Sequence, residues 1–298
     1  MAESTAPVFL ARSSAATWQG IGLVATGAVG FSAAIIFIRE MRGLAAPTIM
    51  LFRALSAFLF FSALLPRHPA SLKVSTYRRS LPWLLGLGLA MGVTSLLYTV
   101  AVQNTTAANA VLLNNTATLY VALLAPWLLK ETRPRYIWLS LALAVAGMIC
   151  VTIPAQGGGR PGSWLGIIAA AFSGFSYAFT MLFGRLLRGR VGGVTQVWWG
   201  TGSAVLVALP WAWGGSWEAV LANWYWLLAV GIISLALPYF LYFQGLKRIK
   251  AQVVSVVALL EPVCGVLIGV WMYHEIPSVL GMVGIGMILL SIFWISRS

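Results

Sequence analysis

The chain contains no Asp, and Asp and Glu together account for only six of its 298 residues. The two histidines, His68 and His274, fall in predicted loops, and Cys150 and Cys264 fall inside apolar segments as small buried side chains, not as a disulfide. Metal-dependent or triad catalysis requires clusters of His, Cys, Asp or Glu. The phosphate-binding loop of an ATP-driven motor is also absent. We therefore expect no enzyme, no cofactor, no metal site and no built-in ATPase.

Charge is scarce altogether, because only 8% of the residues are charged whereas 60% are hydrophobic. This composition is typical of membrane proteins. A bilayer core about 30 Å thick needs about 20 apolar residues in a helix. Apolar segments of that length lie at 18–38, 46–65, 82–102, 107–129, 137–153, 164–184, 194–213, 225–245, 251–271 and 277–296. The predicted fold is an all-α polytopic membrane protein with ten transmembrane helices.

The second half of the sequence repeats the first when the chain is shifted by 144 residues without a gap. The shift places Gly30, Phe31 and Ser32 on Gly174, Phe175 and Ser176. It also pairs Leu97 with Leu241, Tyr98 with Tyr242, Trp127 with Trp271 and Glu131 with Glu275. Such matches at one offset indicate an internal duplication. We divide the chain into an N-terminal segment at 1–17, a first five-helix repeat at 18–153 and a second at 164–296.

Five helices per repeat is an odd number, so the second repeat must enter the membrane from the side opposite the first. Inverted repeats are typical of transporters, in which one half rocks against the other around a site near the bilayer midplane. This architecture favours transport over a scaffold or a membrane enzyme.

The basic residues predict the orientation of the chain in the membrane. If the N-terminus is cytoplasmic, fifteen of them fall on the cytoplasmic side and only Arg39, Arg42 and Arg160 on the other. Cytoplasmic loops of membrane proteins carry an excess of Lys and Arg. Both termini are therefore expected in the cytoplasm, and the net charge of +13 reflects topology and requires no nucleic-acid partner.

One stretch of the second half resembles a known family. The residues 259–263 (Leu-Leu-Glu-Pro-Val), 271–275 and the glycines Gly281, Gly284 and Gly286 resemble the C-terminal repeat signature of the EamA-type drug/metabolite transporter superfamily. The first half is similar to its degenerate partner, with Ala117 and Thr118 where Glu261 and Pro262 stand. The resemblance covers essentially the whole chain and implies a small-molecule exporter or exchanger. Within the superfamily the chain is most similar to the YddG-type amino-acid exporters.

Glu261 is the sharpest candidate for the site, because hydrocarbon tolerates a carboxyl only when it is paired or faces a cavity. Pro262 removes a backbone hydrogen bond and disfavours helix at the residue before it. Glu261 beside this kink can bind a substrate ammonium group or carry a proton. The alternative interpretation is a carboxyl that braces the kink.

The other candidates have two interpretations each. Tyr98, Tyr239 and Tyr242 either line a cavity or belong to the aromatic belt at the membrane interface. Asn115 is a candidate ligand, whereas its neighbour Asn114 is expected to form an interhelical hydrogen bond. Arg53 is expected to extend to the outer interface instead of binding substrate. The remaining candidates, which either flank a symmetric site or permit close helix packing, are Phe31, Ser32, Phe175 and Ser176.

These inferences together predict an alternating-access transporter in the bacterial inner membrane. It is expected to export small neutral metabolites, with amino acids, including aromatic ones, as the first candidates. The alternatives are a sugar-phosphate or nucleotide-sugar exchanger of the same superfamily, or a channel or membrane assembly subunit. The expected partners are a small-molecule substrate and the lipid bilayer; the substrate, the energy source and the oligomeric state are left open.

Overall fold

A computed structural model of the protein describes residues 14–41, 43–67, 74–105, 107–152, 164–212, 216–274 and 277–297. Within these ranges the secondary structure is entirely helical. The helices are α1 (Ser14–Ser32), α2 (Ala34–Glu40), α3 (Ala46–Leu64), α4 (Val74–Asn104), α5 (Ala107–Asn114), α6 (Ala117–Leu128), α7 (Ile137–Thr152), α8 (Trp164–Leu186), α9 (Gly193–Ala208), α10 (Trp217–Ala222), α11 (Trp224–Gly231), α12 (Leu237–Arg248), α13 (Ala251–Val257), α14 (Leu260–Tyr273) and α15 (Val279–Ser296). A π-helical turn, Ile232–Ala236, joins α11 to α12.

Seven helical stretches of the described chain are long and apolar enough to cross a membrane. They are Pro47–Leu64, Arg78–Ala101, Ala110–Leu128, Trp164–Leu186, Trp224–Arg248, Ala251–Met272 and Val279–Ser296. A shorter apolar stretch, Ile137–Val151, lies in α7. The all-helical fold with apolar helices of membrane-spanning length is thus confirmed, while the count of ten crossings stays a prediction because α1, α7 and α9 are outside these seven.

Helix packing follows the 144-residue repeat. α4 packs against α8 and α9, and the equivalent stretch of the second half, α11 to α12, packs against their counterparts α1 and α3. α7 and α15 occupy equivalent positions and pack against each other, as do α3 and α9. Each half therefore buries its apolar helices mainly against the other half.

Equivalent helices run antiparallel where they touch. The ring of Tyr136, just before α7, lies 5.1 Å from that of Trp294 near the end of α15. At the opposite end of the pair, Gly147 packs on Gly284, where a Cβ on Gly147 would lie only 2.7 Å from the Gly284 carbonyl oxygen. Small residues of this kind let two helix backbones approach closely. The antiparallel course of equivalent helices is the relation that an inverted repeat requires.

A helix break lies at Ala258 and Leu259, three to four residues before Pro262, since α13 ends at Val257 and α14 begins at Leu260. Glu261 itself lies in the first turn of α14, so the expectation that Pro262 disfavours helix at this residue is wrong. Pro262 has no N–H to donate to the Ala258 carbonyl oxygen. The Glu261 backbone N–H donates to that oxygen instead, at 3.0 Å. The first half breaks at the matching place, between α5 and α6, without a proline.

A candidate binding cavity between the two halves

A cavity of about 240 Å³ lies where helices of both halves converge. Its walls come from α1, α3, α4 and α5 of the first half and from α8, α9, α12, α14 and the π-helical turn of the second. The polar side chains in this lining are Arg53, Thr94, Ser95, Tyr98, Thr99, Asn114, Tyr177, Thr201, Tyr239 and Glu261. Phe31 and several aliphatic residues complete it. The cavity thus combines an apolar wall with a few convergent polar groups, as ligand sites usually do.

Arg53 on α3 is the cation of this lining. Residues Ile232–Ala236 form a π-helical turn that precedes Pro238, which has no N–H. Arg53 Nη2 donates to the Ser234 carbonyl oxygen of this turn at 2.7 Å. The hydrogen bond holds a guanidinium of the first half against the second half, and the side chain does not extend to the outer interface as its position in the sequence suggested.

The anchored guanidinium keeps unused hydrogen-bonding capacity. Its Nε atom is buried and finds no hydrogen-bond partner among the described residues. A buried N–H without a partner is energetically unfavourable, because water cannot reach it. Thr94 Oγ1, also in the lining, is likewise buried and without a partner in the described part of the chain.

Glu261 faces the same cavity from the second half, in the first turn of α14. Arg53 and Glu261 do not form an ion pair, since the described side chains contain no nitrogen–oxygen contact between them within 4.0 Å. The helix break after α13 places Glu261 in the first turn of a new helix, α14. A carboxylate in the first turn is favourable for the helix dipole.

Aromatic rings form one wall of the cavity. The rings of Phe31 and Tyr239 meet edge to face, with centroids 4.8 Å apart. Tyr98 and Tyr177 contribute to the lining from α4 and α8. Phe31, Tyr98, Tyr239 and Glu261 are therefore the sequence-predicted candidates that the structure brings together.

Asn114 lies in the cavity lining, whereas its neighbour Asn115 does not. Asn114 Oδ1 accepts a hydrogen bond of 3.0 Å from Ser173 Oγ on α8, as expected for an interhelical contact. The Asn115 side chain is buried, and its Nδ2 donates to the Val111 carbonyl of its own helix at 2.9 Å. Asn114 ends α5 and Asn115 lies in the turn that follows, and of the two only Asn114 is in the cavity lining.

The remaining candidates are not in the cavity lining. Tyr242 is only 1% exposed in the core beside Phe243, and its hydroxyl has no hydrogen-bond partner in the described part of the chain. Phe175 is 41% exposed and stacks edge to face with Tyr120. This ring therefore lies on the outer surface of the bundle.

The two serines of the repeated Gly-Phe-Ser stretch bond to backbone. Ser32 Oγ donates to the Val29 carbonyl at 2.7 Å within α1, and Ser176 Oγ donates to the Ala90 carbonyl of α4 at 3.0 Å. The adjacent Gly174 packs on α5, where a Cβ would lie 2.9 Å from the Asn114 carbonyl oxygen. This geometry favours close packing as the reason for the repeated stretch.

A buried polar cluster joins the two halves of the bundle away from the cavity. Glu131, after α6, forms an ion pair of 2.5 Å with Arg185 near the end of α8. Arg185 also donates to the Leu246 carbonyl of α12, and Glu131 Oε2 accepts from the Ala251 backbone N–H at 3.1 Å. We call Glu131, Arg185, Leu246 and Ala251 the Glu131 cluster; Glu275, the repeat partner of Glu131, lies outside the described residues.

The Glu131 cluster is displaced from the cavity along every helix that contributes to both. Arg185 follows Tyr177 by eight residues on α8, and Leu246 follows Tyr239 by seven on α12. At 1.5 Å per residue these separations are about 12 Å and about 10 Å along the helix. The cavity itself extends the other way, toward Ile49 and Met50 at the beginning of α3.

Sequence reasoning missed Arg53 as a cavity residue, and one signal was present. Of the 19 Lys and Arg residues, Arg53 is the one inside a predicted span and away from the predicted loops. Ionisable residues within spans usually face the interior of the bundle. The Arg53–Ser234 hydrogen bond and the Arg185 ion pair had no such signal, because both are contacts between distant parts of the chain.

The chain resembles known proteins both in sequence and in fold. The sequence model of the EamA-like transporter family matches residues 18–153 and 164–297. A protein from Archaeoglobus fulgidus named as an uncharacterized transporter is 29% identical over 208 residues, which are 69% of this chain and 73% of that protein. The uncharacterized transporter YwfM of Bacillus subtilis is 26% identical over 175 residues, 58% of each chain. One solved crystal structure shares the fold with a TM-score of 0.78, at 20% identity, over 94% of this chain and 96% of that one.

Proposed function

The chain belongs to the EamA-like transporter family, and we propose that it is an alternating-access transporter that exports small neutral metabolites. Amino acids, including aromatic ones, are the first candidate substrates. In this proposal the chain crosses the bacterial inner membrane ten times with both termini in the cytoplasm. The transported molecule occupies the cavity between the halves.

The observation that carries the proposal is the position and lining of that cavity. It lies between two halves whose equivalent helices pack antiparallel, which is where an inverted-repeat carrier binds its substrate. Its lining offers hydroxyl, amide, guanidinium and carboxyl groups beside the rings of Phe31 and Tyr239. These groups suit both ends and the side chain of a neutral amino acid.

The size and charge of the cavity favour a small neutral substrate over a nucleotide sugar or a sugar phosphate. Its volume of about 240 Å³ lies below the roughly 300 to 1,000 Å³ of sites for drug-sized ligands. A phosphate usually recruits several cations, whereas the described lining contains Arg53 and the opposing carboxyl of Glu261.

Alternating access assigns a role to the Glu131 cluster. It joins α6 of the first half to α8, α12 and α13 of the second. With both termini in the cytoplasm, this cluster lies on the cytoplasmic side. Release of the ion pair is then the step that opens the cavity toward the cytoplasm, where an exporter loads its substrate.

Counterflow in proteoliposomes tests the proposal. Vesicles loaded with unlabelled L-phenylalanine should accumulate external labelled L-phenylalanine transiently, and the rate should saturate. Tyr239→Ala, which removes a cavity ring, should raise the half-saturation concentration, whereas Tyr242→Phe, which removes only a core hydroxyl, should leave it unchanged. A non-saturating flux would identify a channel, and counterflow of a sugar phosphate without that of amino acids would identify the alternative exchanger.

A further inference from the structure

A guanidinium and a carboxyl face the cavity without pairing with each other, and each comes from a different half. We propose that Arg53 and Glu261 are a two-point clamp for a zwitterion, with Arg53 holding a carboxylate and Glu261 holding an ammonium group of the same molecule. The inference rests on the proposed function and narrows it, because it requires the substrate to carry both groups.

The Arg53 guanidinium is suited to bind a planar anion. A guanidinium has five N–H donors in a rigid fork. The bond from Nη2 to the Ser234 carbonyl fixes its position, while the buried Nε–H remains without a partner in the described part of the chain. A carboxylate can accept from Nε and an Nη atom at once in the bidentate geometry that Arg favours. Bound carboxylate would therefore supply the hydrogen bond that the Nε–H lacks.

The Glu261 side is suited to a cation. Its carboxyl lines the cavity in the first turn of α14, and Arg53 is not within ion-pair distance of it. A charge held in a low-dielectric site is strongly unfavourable unless an opposite charge is near. A ligand ammonium is such a charge, with up to three N–H donors. A zwitterion satisfies both protein groups while adding no net charge to the membrane interior.

The clamp joins the two halves through the substrate. Arg53 belongs to the first half and Glu261 to the second, and the 144-residue shift carries Arg53 to Val197 and Glu261 to Ala117. The charges are therefore the part of the site that the duplication does not repeat. A ligand that touches both has one allowed orientation, which a symmetric site would not impose.

A series of ligands that differ only in their charged groups tests the clamp on the purified full-length protein. L-phenylalanine carries both groups, phenethylamine lacks the carboxylate, and 3-phenylpropionate lacks the ammonium. Calorimetric titration should show that either analogue binds about 10- to 150-fold more weakly than L-phenylalanine, the range for losing one hydrogen bond to a charged group. Equal affinity for L-phenylalanine and either analogue would overturn the clamp.

Two variants assign each group of the ligand to its partner. Arg53→Gln should weaken L-phenylalanine binding and abolish the preference over phenethylamine, while the preference over 3-phenylpropionate remains. Glu261→Gln should do the reverse. Arg248→Gln and Glu218→Gln make the same substitutions outside the cavity and should leave all three affinities unchanged. If a cavity variant does not fold, the ligand series on the unaltered protein still decides.

The test separates failure of the clamp from failure of the transporter function. If L-phenylalanine does not bind, glycine and L-leucine are titrated with their amine and acid analogues in the same way. Absence of binding by all three amino acids overturns the clamp. Saturable counterflow of a different solute would then leave the transporter function intact.

Discussion

The ion pair between Glu131 and Arg185 should control which side of the cavity is closed. Arg185 and Glu131 side chains are only 6% and 11% exposed. Each also binds backbone of the second half, at Leu246 and at Ala251. Arg185→Met keeps an unbranched apolar side chain but removes the guanidinium, so Glu131 stays buried without its ion-pair partner.

The size of the expected shift between the closed and open forms follows from the burial of the Glu131–Arg185 ion pair. Removing one partner of a buried ion pair costs about 3 to 5 kcal/mol. The cost falls only on the form in which the cluster is closed, since an opened cluster exposes Glu131 to water. At about 1.4 kcal/mol per factor of ten, the equilibrium should shift toward the open form by roughly 10²- to 10³-fold or more.

The rate of thiol labelling measures this shift. Met181 lies on α8 between Tyr177 and Arg185 and is 1% exposed, so a Met181→Cys reporter should react slowly with a maleimide. Combining it with Arg185→Met should accelerate labelling strongly, because the reporter becomes accessible when the cluster opens.

Two further variants make the result interpretable. Adding Glu131→Gln to Arg185→Met removes the stranded charge and should reverse part of the acceleration. Lys250→Met removes an exposed contact of 2.9 Å to Thr132 and should change labelling by less than about 5-fold, because exposed polar pairs contribute at most about 1 kcal/mol. Unchanged labelling in Arg185→Met would refute the idea that this pair closes the bundle.

Three other predictions concern the carboxyl, the tyrosines and the topology. Glu261→Gln keeps shape and hydrogen bonding but cannot titrate; we expect weaker substrate binding, and normal counterflow with unaltered pH dependence would exclude proton transport by this group. Tyr98→Ala should raise the half-saturation concentration about 5- to 150-fold, because a contact in the cavity is lost. Tyr242→Ala should mainly lower the free energy of unfolding, by about 3 to 5 kcal/mol, because it leaves a void in the core. In a background without native cysteines, Gly158→Cys, outside the described residues, should react with an impermeant thiol reagent applied from outside the cell, and Thr132→Cys should not; the opposite pattern would reverse the orientation.

Local features of the chain were predictable from the sequence. Scarce charge and long apolar segments indicate a membrane protein whatever the detailed packing, because the bilayer imposes helix length and hydrophobicity. The repeat at 144 residues predicts equivalent halves, and Pro262 indicates a missing backbone hydrogen bond beside Glu261. Each of these depends on composition, spacing or one residue and its neighbours.

The site was only partly predictable from the sequence. A helix that is apolar on all sides has no sequence pattern that shows which of its faces packs inward. Phase along α5 separates Asn114 from Asn115 by about 100°, yet only packing decides that Asn114 meets the cavity. The same holds for Tyr242, which matches Tyr98 in sequence but lies in the core. Equivalent positions have different surroundings because the halves differ in the side chains that cover them.

The sequence by itself determined the class of the protein, its duplication and the carboxyl at the helix break. The tertiary structure alone decided that Arg53 faces that carboxyl across a cavity. The reason is the hydrogen bond between Arg53 and the Ser234 carbonyl oxygen, 181 residues apart, which holds the guanidinium of one half against the π-helical turn of the other. Hydrogen bonds over such distances exist only after the helices have packed, so no local pattern could reveal them.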